Sequence, residues 1–131
     1  MITLICGLPN AGKTTYSQRY DNVIHFDDCP LPRNEIFESK VAQSQGDVYA
    51  EGICNSKKSR GMFLKAIAHR TDKKVCIWID TPLKVCLERE KAYRKRPLSM
   101  VEQHAKRFEP PTLDEGWDEI IIVKPCTTTL T

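Results

Sequence analysis

Residues Gly7-Leu8-Pro9-Asn10-Ala11-Gly12-Lys13-Thr14 follow the spacing G-x-x-x-x-G-K-[ST], a pattern whose chemistry is the wrapping of a phosphate. The glycines let the backbone turn tightly, successive N–H groups at the start of a helix offer donors, and Lys13 supplies a point charge. The Thr14 hydroxyl is a hard oxygen suited to Mg²⁺. These eight residues, with Thr15 beside them, are therefore candidates to hold ATP, and Thr14 is also the candidate metal ligand.

A phosphate site needs more than a cradle to do chemistry. Asp27, with Asp28 next to it, ends an apolar run from which a carboxylate can reach a hydroxyl and take its proton. The same pair also suits the capping of a following loop. Arg89, Arg94 and Arg96 surround the end of a predicted helix and precede Pro97. Placed on a lid at about 89–98, they would stabilise charge on a transferring phosphoryl group; left in solvent, they would satisfy last-turn carbonyls. Glu51 suits either a water-mediated contact to Mg²⁺ or a structural hydrogen bond. His25, His69 and His104 lack metal-ligand spacing and are expected to be structural, and Trp78 and Trp117 are expected in the core or at its rim.

The elements that must position these groups alternate. Ile2 to Cys6 reads as a strand buried on both faces, followed by a helix over about 13–20. Val23 to Phe26 is a second strand ending at Asp27-Asp28, and Asn34 to Ser44 a helix before the strand Val48 to Glu51. Ser56 caps a helix reaching about Arg70, with Met62, Phe63, Ala66 and Ile67 inward. The strand Lys74 to Ile79 precedes a helix started by Thr81-Pro82 that runs to about Tyr93, with Leu83, Cys86 and Leu87 inward. Ser99 to Glu102 and Thr112 to Glu115 are capping-box patterns, and Glu119 to Val123 is the last strand. This order predicts an α/β three-layer sandwich with a mainly parallel five-stranded sheet. Gly7, Asp27, Glu51 and Asp80 all fall near strand carboxyl ends, where such sheets bind ligands.

With 131 residues, a single domain over 1–131 is expected. No apolar run is long enough to span a membrane, and a cytoplasmic protein with no membrane partner is expected. The six cysteines, Cys126 included, contain no C-x-x-C pair and are read as reduced thiols. The net charge of +3 hides an uneven distribution: −3 over residues 1–55, +10 over 56–107 and −4 over 108–131. The middle segment suits phosphates or nucleic acid, or equally a set of solvated helix faces.

Together these motifs resemble the P-loop kinases of the polynucleotide-kinase group, often classed as an AAA-type ATPase domain. Besides residues 7–14, the resemblance rests on Phe26-Asp27-Asp28 and on Glu51-Gly52-Ile53-Cys54-Asn55-Ser56-Lys57-Lys58-Ser59-Arg60, similar to the D-G-T-N-x-S-K-x-x-R segment of that group. It rests also on Leu87-Glu88-Arg89 with Arg94 and Arg96, and on residues 107–120, similar to its F-E-x-P-T-x-x-E-G-F-x-E-I stretch. The resemblance implies a P-loop NTPase fold of the nucleotide-kinase type, with ATP and Mg²⁺ handled by Lys13 and Thr14. Asp27 would be the general base on the 5′-hydroxyl of a nucleic acid, and Arg89 and Arg94 the lid arginines, with Arg96 a third. Pro30 stands where the phage enzyme of the group has an arginine that grips the acceptor, leaving Arg33 as the substitute, and Glu51 replaces the usual Asp. A small-molecule kinase and an ATP-binding switch are the competing functional readings.

Overall fold

The computed structural model describes residues 1–52 and 54–125; Ile53, Cys126 and the threonines Thr127 to Thr129 lie outside the described residues. Five strands, β1 (Ile2–Cys6), β2 (Val23–His25), β3 (Val48–Glu51), β4 (Lys74–Ile79) and β5 (Glu119–Val123), form one sheet in the order β2-β3-β1-β4-β5. Every neighbouring pair is parallel. All five residues of β1 are buried, as its continuous apolar run predicts for a central strand covered on both faces.

Side-chain alternation along the strands divides the core in two. On one face Ile2, Leu4, Cys6, Val48 and Cys76 pack with Phe37 and Val41 of α2 (Arg33–Gln43) and Phe63 of α3 (Lys57–Ala66). On the other, Ile5, Val75, Ile77 and Ile79 meet Cys86 of α4 (Leu83–Tyr93) and Val101 of α5 (Leu98–Arg107). The chain is thus the expected three-layer α/β sandwich. The chain leaves β1 through α1 for β2, beyond β3, and the β3–α3–β4 connection then crosses to the other side of β1, so the strand order reverses beside β1 and a crevice opens at its carboxyl end. Among the described residues no helix is long and apolar enough to cross a membrane.

Several element boundaries differ from expectation for local reasons. The first helix, α1, covers only Lys13–Ser17. Ser17 donates its hydroxyl back to Thr14 O at 2.7 Å, and the chain continues in turns that lay the Tyr20 ring on Tyr49 at 3.7 Å. β2 stops at His25, because Phe26–Asp28 form a 3-10 turn. α3 ends at Ala66; Arg70, expected inside it, instead bonds Asp72 at 2.8 Å. That contact holds the Asp72 carboxyl down to about 2. Met62 is exposed rather than inward, while Arg60 on the same helix is fully buried. Thr81 does not cap α4, since its hydroxyl donates to Ala11 O at 2.6 Å. Ser99 lies inside α5, which starts after Pro97 without a side-chain cap. The capping boxes at Ser56 and Thr112 form, the latter around a 3-10 turn, Leu113–Glu115. Trp117 is buried as expected.

Thr3, in the middle of β1, has the one buried side-chain oxygen among the described residues without a hydrogen-bond partner. Exchanging a buried, unpaired hydroxyl for a methyl removes a desolvation cost without changing shape. Thr3→Val is therefore expected to raise stability by about 1 kcal/mol, read as a higher urea midpoint at unchanged slope. A lower midpoint would show that the hydroxyl has a partner.

Candidate active site

The loop between β1 and α1 is shaped by two glycines. A Cβ at Gly7 would stand 2.8 Å from Ile79 O, at the end of the adjoining strand, so only glycine lets β1 and β4 run this close. Gly12 has φ of 101°, which side chains rarely adopt. Between them Ala11 N donates to Leu8 O at 3.0 Å, and Thr81 pins the Ala11 carbonyl from the sheet side. Asn10 also has positive φ, at 67°.

Lys13 is almost wholly buried, its ammonium donating to Gly7 O at 3.0 Å and Leu8 O at 2.7 Å. Burial pushes its pKa down, while Glu51, Cys6, Cys86 and Asp27 act in the opposite direction. Glu51 is itself buried and shares a 2.9 Å contact from Oε2 to His25 Nδ1, across the β2–β3 register pair that sets the two side by side. Among its two sequence alternatives the structural hydrogen bond is therefore present, and Glu51 still borders the cleft.

A cleft of about 960 Å³ crosses the carboxyl ends of the strands. It brings together Pro9, Asn10, Ala11, Gly12, Lys13, Thr14 and Thr15 with Asp27, Glu51, Arg89 and Arg96. Gly7 and Leu8 contribute through their carbonyls to Lys13 rather than as cleft lining. Asp28, Arg33, Asp80 and Arg94 are not among the lining residues. Arg94 caps α4 in a left-handed conformation and is exposed, whereas Arg96 two residues on lies on the wall. Arg89 donates Nη1 to Asn10 O at 2.7 Å, so this arginine already touches the loop. Arg33 donates Nε to Cys29 O at 3.1 Å. From the strand order, the carboxylates of Asp27 and Glu51 stand on one side of the loop, after β2 and β3. The apolar Ile79 and Val123 stand on the other, at β4 and β5.

Sequence reasoning gave no individual role to five residues. Tyr16 and Arg19 line the cleft, with the Arg19 guanidinium 3.8 Å over the Tyr16 ring. Glu90 is buried, and both its oxygens are engaged. An acidic residue in the last turn of α4, where the helix dipole disfavours it, was the available signal that something beyond the helix holds it. Arg60 and Glu115 form a buried bidentate pair, at 2.8 and 3.1 Å. That pair joins the two segments, around 51–60 and 107–120, that carry much of the sequence resemblance. Glu109 N donates to Asn55 O at 2.8 Å in the same seam. Asn55, Arg60, Glu109 and Glu115 therefore build the frame behind the cleft, whereas Glu51 and Gly52 of the first segment line it.

No protein-family model matches the chain, and no curated protein matches it. Solved structures do. A Chaetomium thermophilum Kti12 in complex with ADP-AlF3 superposes with a TM-score of 0.77 at 14% identity, covering 95% of this chain and 89% of the other. A gluconokinase from Sinorhizobium meliloti gives 0.67 at 16%, covering 93% and 81%. The Mycobacterium tuberculosis APS kinase CysC, in complex with AMPPNP and APS, gives 0.64 at 15%, covering 95% and 89%. The fold is that of the P-loop kinases. At this identity the likeness establishes architecture, and the chemistry rests on the cleft's own residues.

Proposed function

We propose that the protein is an ATP-dependent phosphotransferase that moves the γ-phosphoryl group to a hydroxyl. The observation that carries this reading is one cleft lined both by the phosphate loop, Lys13 to Thr15, and by the Asp27 carboxylate. In it Lys13 binds the donor phosphates, Asp27 accepts the proton of the attacking hydroxyl, and Arg89 with Arg96 or Arg94 balances charge on the transferring group. Nucleotide-bearing neighbours, with ADP-AlF3 and with AMPPNP, support the donor half.

The donor set also suits Mg²⁺. The Thr14 hydroxyl and the Glu51 and Asp27 carboxylates border the cleft, and no group of three or more His, Cys, Asp or Glu gathers as a metal cage among the described residues. Mg²⁺ is commonly held this way, by few protein oxygens together with substrate phosphates. Thr14 would be its protein ligand, with Glu51 acting through water, and the ion would neutralise phosphate charge.

For the acceptor, the 5′-hydroxyl of a polynucleotide follows from the motif resemblance and from the excess of cations over 56–107. Part of that excess is spent internally, because Arg60 pairs with Glu115 and Lys73 with Glu119. A small hydroxyl compound is the second reading, favoured by gluconokinase and APS kinase among the structural neighbours.

The test is γ-labelled ATP offered with 5′-hydroxyl oligonucleotides and with a panel of sugars and nucleosides. Asp27→Asn is expected to lower transfer by about 10²- to 10⁴-fold while nucleotide binding persists. Transfer to small compounds alone selects the second acceptor. Nucleotide binding by the wild type without transfer to any acceptor leaves the ATP-binding switch.

A further inference from the structure

The lid segment and the phosphate loop share one carboxylate. Glu90 is 1% exposed, in the last turn of α4. Its Oε1 accepts from Asn10 Nδ2 at 3.1 Å, on the phosphate loop. Its Oε2 accepts from the backbone N–H groups of Lys95 at 2.7 Å and Arg96 at 3.1 Å, beyond the helix end. Arg96 Nε stands 3.5 Å from Oε1 as well. Asn10 is in turn gripped twice more by α4, donating to Cys86 O at 3.3 Å and accepting from Arg89 at 2.7 Å.

All four partners of Glu90 are donors. A carboxylate meets them with acceptors only, whereas the isosteric amide must turn its NH2 group against at least one of them. Burial alone would raise the Glu90 pKa, but the bonds from Asn10, Arg96 and Lys95 outweigh it and hold the carboxyl below its usual range. The group is thus a fixed anion in a nest of N–H donors, and it spans two pieces of backbone that both border the cleft.

We infer that Glu90 is a positioning residue: it locks the register between the phosphate loop at Asn10 and the lid at Lys95-Arg96, so that a nucleotide held by the loop orders the lid and sets Arg96 on the transferring phosphoryl group. This rests on the reading of the cleft as an ATP site. A residue that merely finished α4 would be satisfied by the two backbone bonds and would have no use for Asn10. Because Glu90 touches neither substrate nor reacting atoms, its loss acts through geometry, where small displacements of a catalytic group cost large factors in rate.

The experiment compares wild type, Glu90→Gln, Asn10→Gly and the double variant. Glycine at position 10 keeps the positive φ while removing the amide, so it cuts the tie from the other side should Glu90→Gln fold poorly. Two readouts are taken with a non-hydrolysable ATP analogue and Mg²⁺ or with ATP: trypsin cleavage after Arg94 and Lys95, and kcat against nucleotide Kd. The analogue is expected to protect those bonds in wild type and not in either single variant. Each variant should lose about tenfold or more in kcat, with Kd changed by less than about threefold in Glu90→Gln, which lies outside the nucleotide-binding loop, and the double variant should be no worse than the worse single. Additive losses, protection retained in both variants, or kcat falling only with the folded fraction would overturn the proposal. A wild type that does not bind the analogue fails at the nucleotide site itself and removes both readings together. Binding without protection in wild type removes the lid coupling alone.

Discussion

On the proposed kinase function, Lys13→Ala is expected to leave a folded protein without phosphoryl transfer. The ammonium is the one side-chain cation inside the phosphate loop, donating to the Gly7 and Leu8 carbonyls. Both carbonyls lose their donor when the side chain goes, so the expected cost to stability is about 1–3 kcal/mol. The cost to the proposed catalysis is larger, because a preorganised charge beside the donor phosphates would be removed. A loss of about 10²- to 10³-fold in kcat is expected, together with weakened nucleotide binding by calorimetry. Thermal melts without nucleotide separate this from a staple role. If Lys13 only tied the loop together, melting would fall while nucleotide affinity per folded molecule stayed unchanged. Restoring the charge with Lys13→Arg should not restore the rate, since a planar fork does not enter the space of a compact ammonium.

The phosphate loop was legible because its demands are local. Gly12 is required by a positive φ that any chain following this turn must meet, and the apolar run of β1 lies in its own five residues, although the close approach that requires Gly7 is to Ile79 O on β4. The inner strands β1, β3 and β4 were legible for the same reason, since parallel strands covered on both faces read as apolar runs, and the edge strands β2 and β5 carry apolar runs as well although they are only partly covered. What stayed hidden depends on partners far along the chain. Nothing near Arg60 announces Glu115, so a helix face drawn by hydropathy placed Met62 inward and gave Arg60 no place in the core, whereas Met62 is exposed and Arg60 is buried. Thr81 has the right type and place to cap α4, yet Ala11 O, seventy positions away, claims its hydroxyl. Of the lid arginines, spacing could not say that a left-handed cap at Arg94 would turn Arg94 outward and bring Arg96 to the wall. Structure read from local motifs therefore transferred well, and structure set by long-range pairing did not.

The Arg60–Glu115 pair carries the second large effect, on stability. The Arg60 side chain has no exposure and that of Glu115 has 7%. The guanidinium is matched by two parallel bonds to the carboxylate and one to Cys54 O at 3.1 Å. Glu115 also accepts from Thr112 N at 2.9 Å and from Trp117 Nε1 at 3.3 Å. Glu115→Ala would leave a buried guanidinium with one carbonyl for company, a change that costs about 3–5 kcal/mol, a large share of a domain's total stability. It should appear as a much lower urea midpoint, with Glu115→Gln intermediate because the amide keeps the shape and one acceptor. A shift below about 1 kcal/mol would place the pair among solvent-screened surface bridges. The pH dependence has a fixed sign. Burial raises the Glu115 pKa, but the bonds from Arg60 and Thr112 prevail and leave it lowered. Its contribution is therefore complete above the ordinary glutamate range and is lost as pH falls through the depressed folded value. Wild type should lose stability over that acid window more steeply than Glu115→Gln, whose side chain does not titrate. Arg60→Met combined with Glu115→Leu should recover much of the single-variant loss, since two apolar groups need no partner. What it cannot restore is the carboxylate held by Thr112 N, and that remainder measures how much Glu115 does for its own turn rather than for Arg60.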